Sequence, residues 1–472
     1  MATIKHAFLL MMENRSFDHL FAFSGRRGVP APDPQWGMTA SAPDRSPLDP
    51  PHDYESVQQQ IAGDPPMSGF RGQPDWNVSG QGFGAGTLPV IRALADRYFL
   101  FDNWYSSMPG PTWPNRFFAH AGSSGGLDNS PAAATTIESE TIDSLGFAFQ
   151  NGTLFEHLEA AGRRWRVYHD DLFPQVLAIK SMVDPFRLNT GRFSWLRAGG
   201  EDCFARDLAQ GYDIDYTFIE PNYGLAGGGL ENGNSQHPRG SMAAGESFIK
   251  YVYDSIRNSP VWPESLLIVT YDEHGGFFDH RYPPAAVPPA DAPLNHDRAE
   301  DPRRCAFDRL GVRVPAVAVS PWIAPGGLGS ESFPGQTLDH SAIIRTVMEL
   351  FGLEGSLTAR DAAAASVLKI CSLGEMRTDT ADVPAVPAAL ESTAGVPTEP
   401  ASTPTSTLKA FSRIAMSLDL RVARADRAPP VALAHPSFTQ AAQSPASPRT
   451  HRQTVDYIQS VAGRLSRQKR LP

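Results

Sequence analysis

The sequence predicts an α/β fold with a mostly parallel central sheet, and three features lead to this prediction. Residues 266–271 are an unbroken, partly β-branched apolar run, which is typical of a strand buried on both faces. Residues 242–257 are expected to form a helix that leads into this strand, and residues 312–320 a further buried strand. This alternation is typical of a parallel sheet with crossover helices on both of its faces.

The composition fits such a fold. Hydrophobic residues make up 41% and charged residues 19% of the 472 residues, as in a soluble globular protein with a large core. The 40 glycines and 42 prolines predict long loops. A net charge of -10 argues against nucleic acid as a partner, because a phosphate backbone requires a basic surface. The 3 cysteines are widely spaced and match neither a disulfide framework nor a zinc-ligand pattern.

No apolar stretch reaches the length of a transmembrane segment, and the first residues lack the cleavage site of a signal peptide. We therefore expect a cytoplasmic protein, with export by another route left open. The oligomeric state cannot be read from the sequence.

Polar residues follow the ends of the predicted strands. They are Glu13 and Asn14 after a strand at 4–12, His169 and Asp170 after one at 164–168, Glu220 after one at 215–219, and Asp272 and Glu273 after the central strand. The carboxyl ends of parallel strands meet at one edge of a sheet, where ligands gather. We therefore expect these side chains to lie together at the C-terminal rim.

A helix is expected to begin at Thr112. Pro109, Gly110 and Pro111 form a rigid turn before it, and Pro114 suits its first turn. The N–H groups and the dipole at a helix start favour an anion, so the hydroxyl of Thr112 could be a deprotonated nucleophile. The alternative is that Thr112 only caps the helix.

Further helices are predicted at 88–101, 153–162 and 338–352 from apolar spacing and capping residues. Long loops at 13–78 and 283–308 are expected to lie over the C-terminal rim. From about residue 383 the composition shifts to Ala, Pro, Ser and Thr. We predict an ordered domain at 1–375 and a largely disordered tail at 376–472, with short helices at 408–418 and 455–465.

The two adjacent carboxylates of Asp272 and Glu273 predict a metal site, because bare buried carboxylates repel each other and require a cation or a proton. Oxygen donors mixed with imidazoles suit Ca²⁺, Mg²⁺, Mn²⁺, Fe or Zn²⁺. We expect one divalent or trivalent metal ion of undetermined identity. The imidazoles available are those of His52, His169, His237, His280 and His340, and each has a structural role as its alternative.

Four stretches of the chain resemble a known family. They are residues 12–19 (Met-Glu-Asn-Arg-Ser-Phe-Asp-His), 110–116 (Gly-Pro-Thr-Trp-Pro-Asn-Arg), 271–280 (Tyr-Asp-Glu-His-Gly-Gly-Phe-Phe-Asp-His) and 339–341 (Asp-His-Ser). Together they resemble the bacterial phosphoesterases that include phospholipases C of the non-haemolytic type and related acid phosphatases, in the alkaline phosphatase superfamily. The resemblance implies an alkaline-phosphatase-like fold and makes residues 1–375 a metal-dependent phosphoesterase domain.

The resemblance also implies a role for each candidate residue. Glu13, Asn14, Asp272 and Glu273 would hold the metal ion, and Thr112 would complete the ligand set and attack phosphorus. His52, His169 and His237 would line the phosphate pocket and donate to the phosphate oxygens or to the leaving group. Five residues are predicted to orient these groups: His280, His340, Asp170, Glu220 and Asn115.

The expected activity is metal-dependent hydrolysis of phosphoesters through a phospho-threonine intermediate. The substrate would be a small phosphoester or a phospholipid headgroup. Phospholipase C, phosphatase, and the phosphodiesterase or sulfatase chemistry of the same superfamily stay open at this point. A different class of answer is a non-catalytic protein that binds metal or phosphate on the same scaffold, and the intact Thr112 beside four presumed ligands argues against it.

Overall fold

A computed structural model describes residues 4–131, 146–188, 190–197, 203–225, 229–299, 301–379, 383–386, 411–412, 414–416, 418–419 and 451–467. Within these ranges, no helix combines the length and the apolar character that crossing a bilayer requires.

The described residues form one eight-stranded sheet in the order β4-β3-β5-β1-β6-β7-β2-β8. β7 runs antiparallel to its neighbours β6 and β2, and the other neighbouring pairs are parallel. The strands are β1 (His6–Met12), β2 (Phe99–Phe101), β3 (Trp165–His169), β4 (Phe193–Trp195), β5 (Tyr216–Glu220), β6 (Ser265–Tyr271), β7 (Ala316–Val319) and β8 (Gly327–Leu328).

Helices surround the sheet. In chain order they are α1 (Phe17–Phe21), α2 (Tyr54–Ile61), α3 (Trp76–Ser79), α4 (Pro89–Arg97), α5 (Thr112–Ala121), α6 (Leu154–Ala160), α7 (Val183–Arg187), α8 (Cys203–Ala209), α9 (Met242–Arg257), α10 (Gly329–Ser332), α11 (Ser341–Phe351), α12 (Ala359–Ala363) and α13 (His451–Arg467). Short 3₁₀ turns lie at Pro34–Trp36, Ser68–Gly72, Gln175–Ala178, Lys180–Met182, Leu230–Asn232, Trp262–Glu264, His296–Arg298 and Leu368–Ile370.

The helices cover both faces of the sheet. Leu9 of β1 pairs in register with Phe218 of β5, so their side chains lie on one face and Phe8 lies on the other. Phe218 contacts His120 of α5, whereas Phe8 contacts Phe204 of α8. The predicted fold class, a mostly parallel sheet between two helical layers, is therefore confirmed.

Several elements differ from the prediction. The helix expected at 88–101 ends at Arg97, and Phe99–Phe101 forms strand β2 instead. The strand expected at 312–320 is confined to Ala316–Val319 and is antiparallel to its neighbours. The long loop expected at 13–78 contains helix α2, with Asp53 as its N-cap. An apolar run fixes neither the direction of a strand nor its partners, which explains the first two differences.

Parts of the predicted tail are described and pack against the main domain. Residues 411–412, 414–416 and 418–419 are helical, and α13 follows. The ring of Phe411 lies 5.3 Å from that of Tyr223 and 6.1 Å from that of Trp113, between centroids. Gln459 of α13 donates a hydrogen bond of 3.0 Å to the carbonyl of Leu225. The predicted disorder at 387–410 and 420–450 lies outside the described residues, and the division at residue 375 stays a prediction.

Candidate active site

The candidate site begins where two central strands end. β1 and β6 pair in register up to Met12 and Tyr271, so the residues that follow leave the sheet side by side. The backbone N–H of Asn14 donates to Oδ1 of Asp272 at 2.9 Å. Asn14 has a φ of 57°, which turns its chain back over the strand end. The parallel pairing of two buried strands thus brings Glu13, Asn14, Asp272 and Glu273 together.

Gly275 makes this close approach possible. Its φ is +63°, and a Cβ atom at this position would lie 2.3 Å from the carbonyl oxygen of Asn14. No other residue type fits such a contact without displacing the segment around Asn14 or the segment around Gly275.

Thr112 is the first residue of α5, and its hydroxyl lies 3.5 Å from Oδ1 of Asn14. The preceding turn is held by Asn115. Its side-chain oxygen accepts the N–H of Met108 at 3.0 Å, and its amide donates to the carbonyls of Met108, Gly110 and Pro111. The structure therefore places the Thr112 hydroxyl next to the acidic cluster, at the positive end of a helix dipole.

The carboxylates of Glu13, Asp272 and Glu273 are completely buried. Burial raises the pKa of Glu13 to about 8 and that of Asp272 to about 6, although the positive charge of Arg116 acts against both shifts. For Glu273, burial acts to raise the pKa, but His52, His274 and the N–H of Gly275 outweigh it and lower the pKa. Three carboxyl groups in one dry site need positive charge nearby.

Two of these carboxylates have an oxygen without a partner. Oε2 of Glu13 and Oε1 of Glu273 accept no hydrogen bond from any described residue. Leaving a buried polar atom without a hydrogen-bond partner is costly, and such atoms are rare in folded proteins. Buried carboxylate oxygens without a hydrogen-bond partner fit a hard cation, and Glu13, Asn14, Thr112, Asp272 and Glu273 are the residues that would hold it.

His52 lies beside this cluster. Its Nδ1 is 2.7 Å from the carbonyl of Pro50 and therefore carries the hydrogen, while its Nε2 lies 3.2 Å from the side-chain nitrogen of Asn14 and 3.9 Å from Oε1 of Glu273. Burial acts to lower the pKa of His52, but the negative charges of Glu273 and Asp49 raise it to about 9. The carboxylates thus favour the protonated ring of His52, whereas Nε2 can accept the hydrogen of the Asn14 amide only in the neutral ring.

His237 and His169 each have one nitrogen without a partner in the described part of the chain. In His237 this atom is Nδ1, and its Nε2 lies 3.6 Å from Oδ2 of Asp49. In His169 it is Nε2, and Nδ1 bonds the carbonyl of Asp171 at 2.7 Å. Burial lowers the pKa of both imidazoles to about 4. Both are neutral near pH 7, with a nitrogen left over for a ligand.

Among the residues predicted to orient the site, His340 and Asn115 contact it directly. Nε2 of His340 lies 2.6 Å from the carbonyl of Asp272, and Asn115 holds the turn before Thr112. Glu220 acts on the site indirectly, through Gln175. It accepts the N–H groups of Gln175 and Val176, and Gln175 in turn donates to Oε1 of Glu13 at 3.1 Å.

Asp170 and His280 have other partners. Asp170 accepts a hydrogen bond of 2.9 Å from Asn234 in the loop after β5. His280 lies 2.6 Å from Asp18, whose other oxygen pairs with Arg313 at 2.9 Å. Ligand atoms of Asp18, His280 and Asp279 lie within 4.8 Å of one another, but Arg313 already forms an ion pair with each of the two carboxylates. This cluster has the bonding of an internal ion-pair network, and the role predicted for His280 stays a prediction.

Sequence reasoning assigned no role to Arg116, Gln175 or Asp49. Arg116 donates from Nε to Oδ2 of Asp272 at 3.0 Å and from Nη2 to the carbonyl of Met12 at 3.2 Å. Its spacing of four residues from Thr112 puts both on one helix face, a signal that the sequence contains. Gln175 and Asp49 lie outside regular helices and strands at positions that no periodic pattern marks.

Residues 4–354 match the Phosphoesterase family. The chain belongs to this family. It is 34% identical to non-specific phospholipase C6 of Arabidopsis thaliana over 80% of this chain and 74% of that protein. It is 29% identical to the non-hemolytic phospholipase C of Pseudomonas aeruginosa over 74% of this chain and 54% of that protein. The chain is accordingly a hydrolase of phosphoester bonds, and its relatives include plant as well as bacterial proteins.

Solved structures of low sequence identity resemble the fold. One is a protein in the alkaline phosphatase superfamily from Vibrio parahaemolyticus, with a TM-score of 0.34 and 11% identity over 76% of this chain and 70% of that one. Another is the phosphonate monoester hydrolase of Agrobacterium radiobacter, with a TM-score of 0.36 and 11% identity over 79% of this chain and 78% of that one. At this identity the likeness concerns the fold alone.

Proposed function

We propose that this phosphoesterase is metal-dependent and uses Thr112 as its nucleophile. The main support for the proposal is that the hydroxyl of Thr112, at the start of a helix, lies beside buried carboxylates that follow two neighbouring strands. The hydroxyl of Thr112 lies 3.5 Å from Oδ1 of Asn14, and the N–H of Asn14 bonds Asp272 at 2.9 Å. Such an arrangement suits activation of a hydroxyl for attack on phosphorus.

The metal ligands in this proposal are Glu13, Asn14, Thr112, Asp272 and Glu273. The unpartnered oxygens of Glu13 and Glu273 support it most directly. When bound, a divalent or trivalent cation would supply positive charge that lowers the pKa of the hydroxyl and neutralises the phosphoryl oxygens. The donor set of carboxylates, amide and hydroxyl fits Ca²⁺, Mg²⁺, Mn²⁺, Fe or Zn²⁺.

The chemistry of the chain's own groups then follows in two steps. The Thr112 oxygen forms a bond to phosphorus, and the bond from phosphorus to the leaving oxygen breaks in line. One imidazole among His52, His169 and His237 takes up the proton of the Thr112 hydroxyl and passes it to the departing alcohol. A water then attacks the phospho-threonine: its oxygen forms a bond to phosphorus, the bond from phosphorus to the Thr112 oxygen breaks, and the proton that the water loses goes to Thr112.

We propose a phospholipid headgroup ester or a small phosphoester as the substrate. The relatives at 34% and 29% identity are named phospholipases C, which favours a phosphodiester. A phosphatase acting on monoesters is the competing assignment within the same site. Rates on p-nitrophenyl phosphate and on p-nitrophenylphosphorylcholine separate the two.

The deciding experiment combines elemental analysis of the purified protein with a phosphoester panel, measured with and without chelator. We expect one equivalent of metal, hydrolysis of at least one phosphodiester, and loss of both on chelation. Full hydrolysis by metal-free protein would overturn the metal dependence. Metal-loaded protein that binds phosphate but hydrolyses nothing in the panel would instead indicate a binding protein.

A further inference from the structure

A small interior cavity lies behind the candidate site, between α5, β5 and the turn that starts at Gln175. It offers about 10 Å³ to the centre of a water-sized sphere, and Trp113, Arg116, His120, Gln175 and Glu220 are among its lining residues. None of these five residues is more than 2% exposed. The cavity is therefore lined by buried side chains, both polar, as in Arg116 and Glu220, and apolar, as in Phe117 and Phe218.

Four of these residues have a polar atom without a hydrogen-bond partner in the described part of the chain. The atoms are Nε1 of Trp113, Nη1 of Arg116, Nδ1 of His120 and Oε1 of Gln175. Buried polar groups almost always find a partner, and an isolated unpaired group is costly. The residues that carry these four atoms all line one cavity, which can hold a common partner for them.

We propose that this cavity holds one ordered water molecule that bonds to all four atoms. A cavity needs about 10–15 Å³ by this measure to hold a water, and a buried water makes two to four hydrogen bonds. Trp113 and Arg116 can only donate, and Oε1 of Gln175 can only accept. Burial and the charge of Arg116 lower the pKa of His120 to about 3, so its ring is neutral and its Nδ1 can accept. Two donors and two acceptors match the hydrogen-bonding capacity of one water.

The cavity does not suit a small anion. The carboxylate of Glu220 lines it together with Arg116, so the net charge at its wall is close to zero. Both oxygens of Glu220 already accept hydrogen bonds, from the N–H groups of Gln175 and Val176 and from the hydroxyl of Tyr223. A neutral ligand with balanced donors and acceptors is favoured.

This water would stabilise the positions of two side chains that hold the carboxylates of the proposed metal site. Gln175 donates from Nε2 to Glu13 at 3.1 Å, and Arg116 donates from Nε to Asp272 at 3.0 Å. One water bonded to the other ends of both side chains therefore couples carboxylates that come from two different strands. The presence of the water does not depend on the proposed function. The effect of the water on metal binding does rest on the proposed function, because that function includes the metal site.

The first test is a high-resolution crystal structure of the full chain. We expect a single density peak within hydrogen-bond distance of the four named atoms. An empty cavity in which Oε1 of Gln175 has turned onto Nη1 of Arg116 would overturn the proposal. A bromide soak that gives an anomalous peak in the cavity would also overturn it, because the ligand would then be an anion.

The second test compares Trp113→Phe with Trp165→Phe as a matched control. Trp165 is also buried, and its Nε1 also lacks a partner among the described residues, but it lies on β3 outside this cavity. The lost hydrogen bond to the water should weaken Mn²⁺ binding about fivefold in Trp113→Phe, the ratio for one ordinary hydrogen bond, and leave it unchanged in Trp165→Phe.

The outcomes separate the two proposals. Equal Mn²⁺ affinities in wild type and Trp113→Phe, with the water visible, would refute the stabilising role of the water. Equal losses in both variants would indicate a general packing effect and would also refute it. No Mn²⁺ binding by the wild type would count against the proposed metal site, while the crystallographic density would still decide the question of the water.

Discussion

Replacing Thr112 by valine removes the proposed nucleophile and keeps the shape of the side chain. The hydroxyl makes one long hydrogen bond, 3.5 Å to Oδ1 of Asn14, so its loss should cost only about 1 kcal/mol of folding free energy. In a chain of this size that is a shift of less than about 3 °C in Tm. The metal content should stay close to that of the wild type, because four of the five proposed ligands are retained.

The effect on turnover should be far larger. Loss of a covalent nucleophile is expected to lower kcat by about 10³-fold or more, which is about 4 kcal/mol in the activation barrier. This exceeds the cost in stability several times over, so unfolding cannot account for it. The control is Thr112→Ser, which keeps the hydroxyl and should stay within about tenfold of the wild-type rate.

The assay is release of p-nitrophenol from p-nitrophenyl phosphate and from p-nitrophenylphosphorylcholine, with metal content and Tm measured on the same samples. Trapping of acid-quenched reactions should give phosphorylated threonine in the wild type and none in Thr112→Val. A Thr112→Val protein that hydrolyses either substrate within tenfold of the wild-type rate would refute the role assigned to this hydroxyl.

Two further predictions concern the site, and a third concerns Glu246, a buried residue of α9 whose carboxyl group accepts the N–H of Val90 at 2.6 Å. Asp272→Asn should lose metal and activity and destabilise the fold by about 3 kcal/mol, because Arg116 is left buried without its carboxylate; metal analysis and urea unfolding check this. Gly275→Ala should cost about 2 kcal/mol or more and weaken metal binding, since its Cβ would lie 2.3 Å from the carbonyl of Asn14; normal metal affinity would contradict it. Burial raises the pKa of Glu246 from 4.5 to about 7, so its contribution to stability is complete below pH 4.5 and is lost as the pH rises to about 7. The wild type should therefore lose about 3 kcal/mol relative to Glu246→Gln over that interval, and parallel urea-derived stability curves for the two proteins would exclude this.

The centre of the sheet could be predicted from local sequence because its strands are buried on both faces. β1 and β6 are continuous apolar runs, and the structure places them side by side. Short edge strands carry no such signal. β4 has three residues and β8 has two, and their pairing depends on contacts with distant parts of the chain. The helix expected at 88–101 contains β2 because Phe99–Phe101 pairs with β7, which no local pattern reveals.

The residues of the candidate site also fall into a group that local sequence predicts and a group that it does not. Glu13, Asn14, Asp272 and Glu273 were predictable because they directly follow the two most apolar strands. Residues that reach the site from loops were not. Asp49 approaches His237, and Gln175 approaches Glu13, through folding of segments that have neither apolar periodicity nor distinctive spacing. Arg116 is an intermediate case, because its helical spacing from Thr112 was visible but its carboxylate partner was not.

The strand order has a consequence for biosynthesis. β1 ends at residue 12, yet its neighbours in the sheet, β5 and β6, begin only at residues 216 and 265 and are therefore synthesised much later. At about 5–20 residues per second, this strand spends roughly 10 s or more without a partner. An apolar segment left unpaired for that time invites aggregation, which makes the nascent chain a client for holding chaperones. A transcript truncated before β6 would yield no partially active enzyme, because neither the middle of the sheet nor its acidic cluster can assemble from one half of the chain.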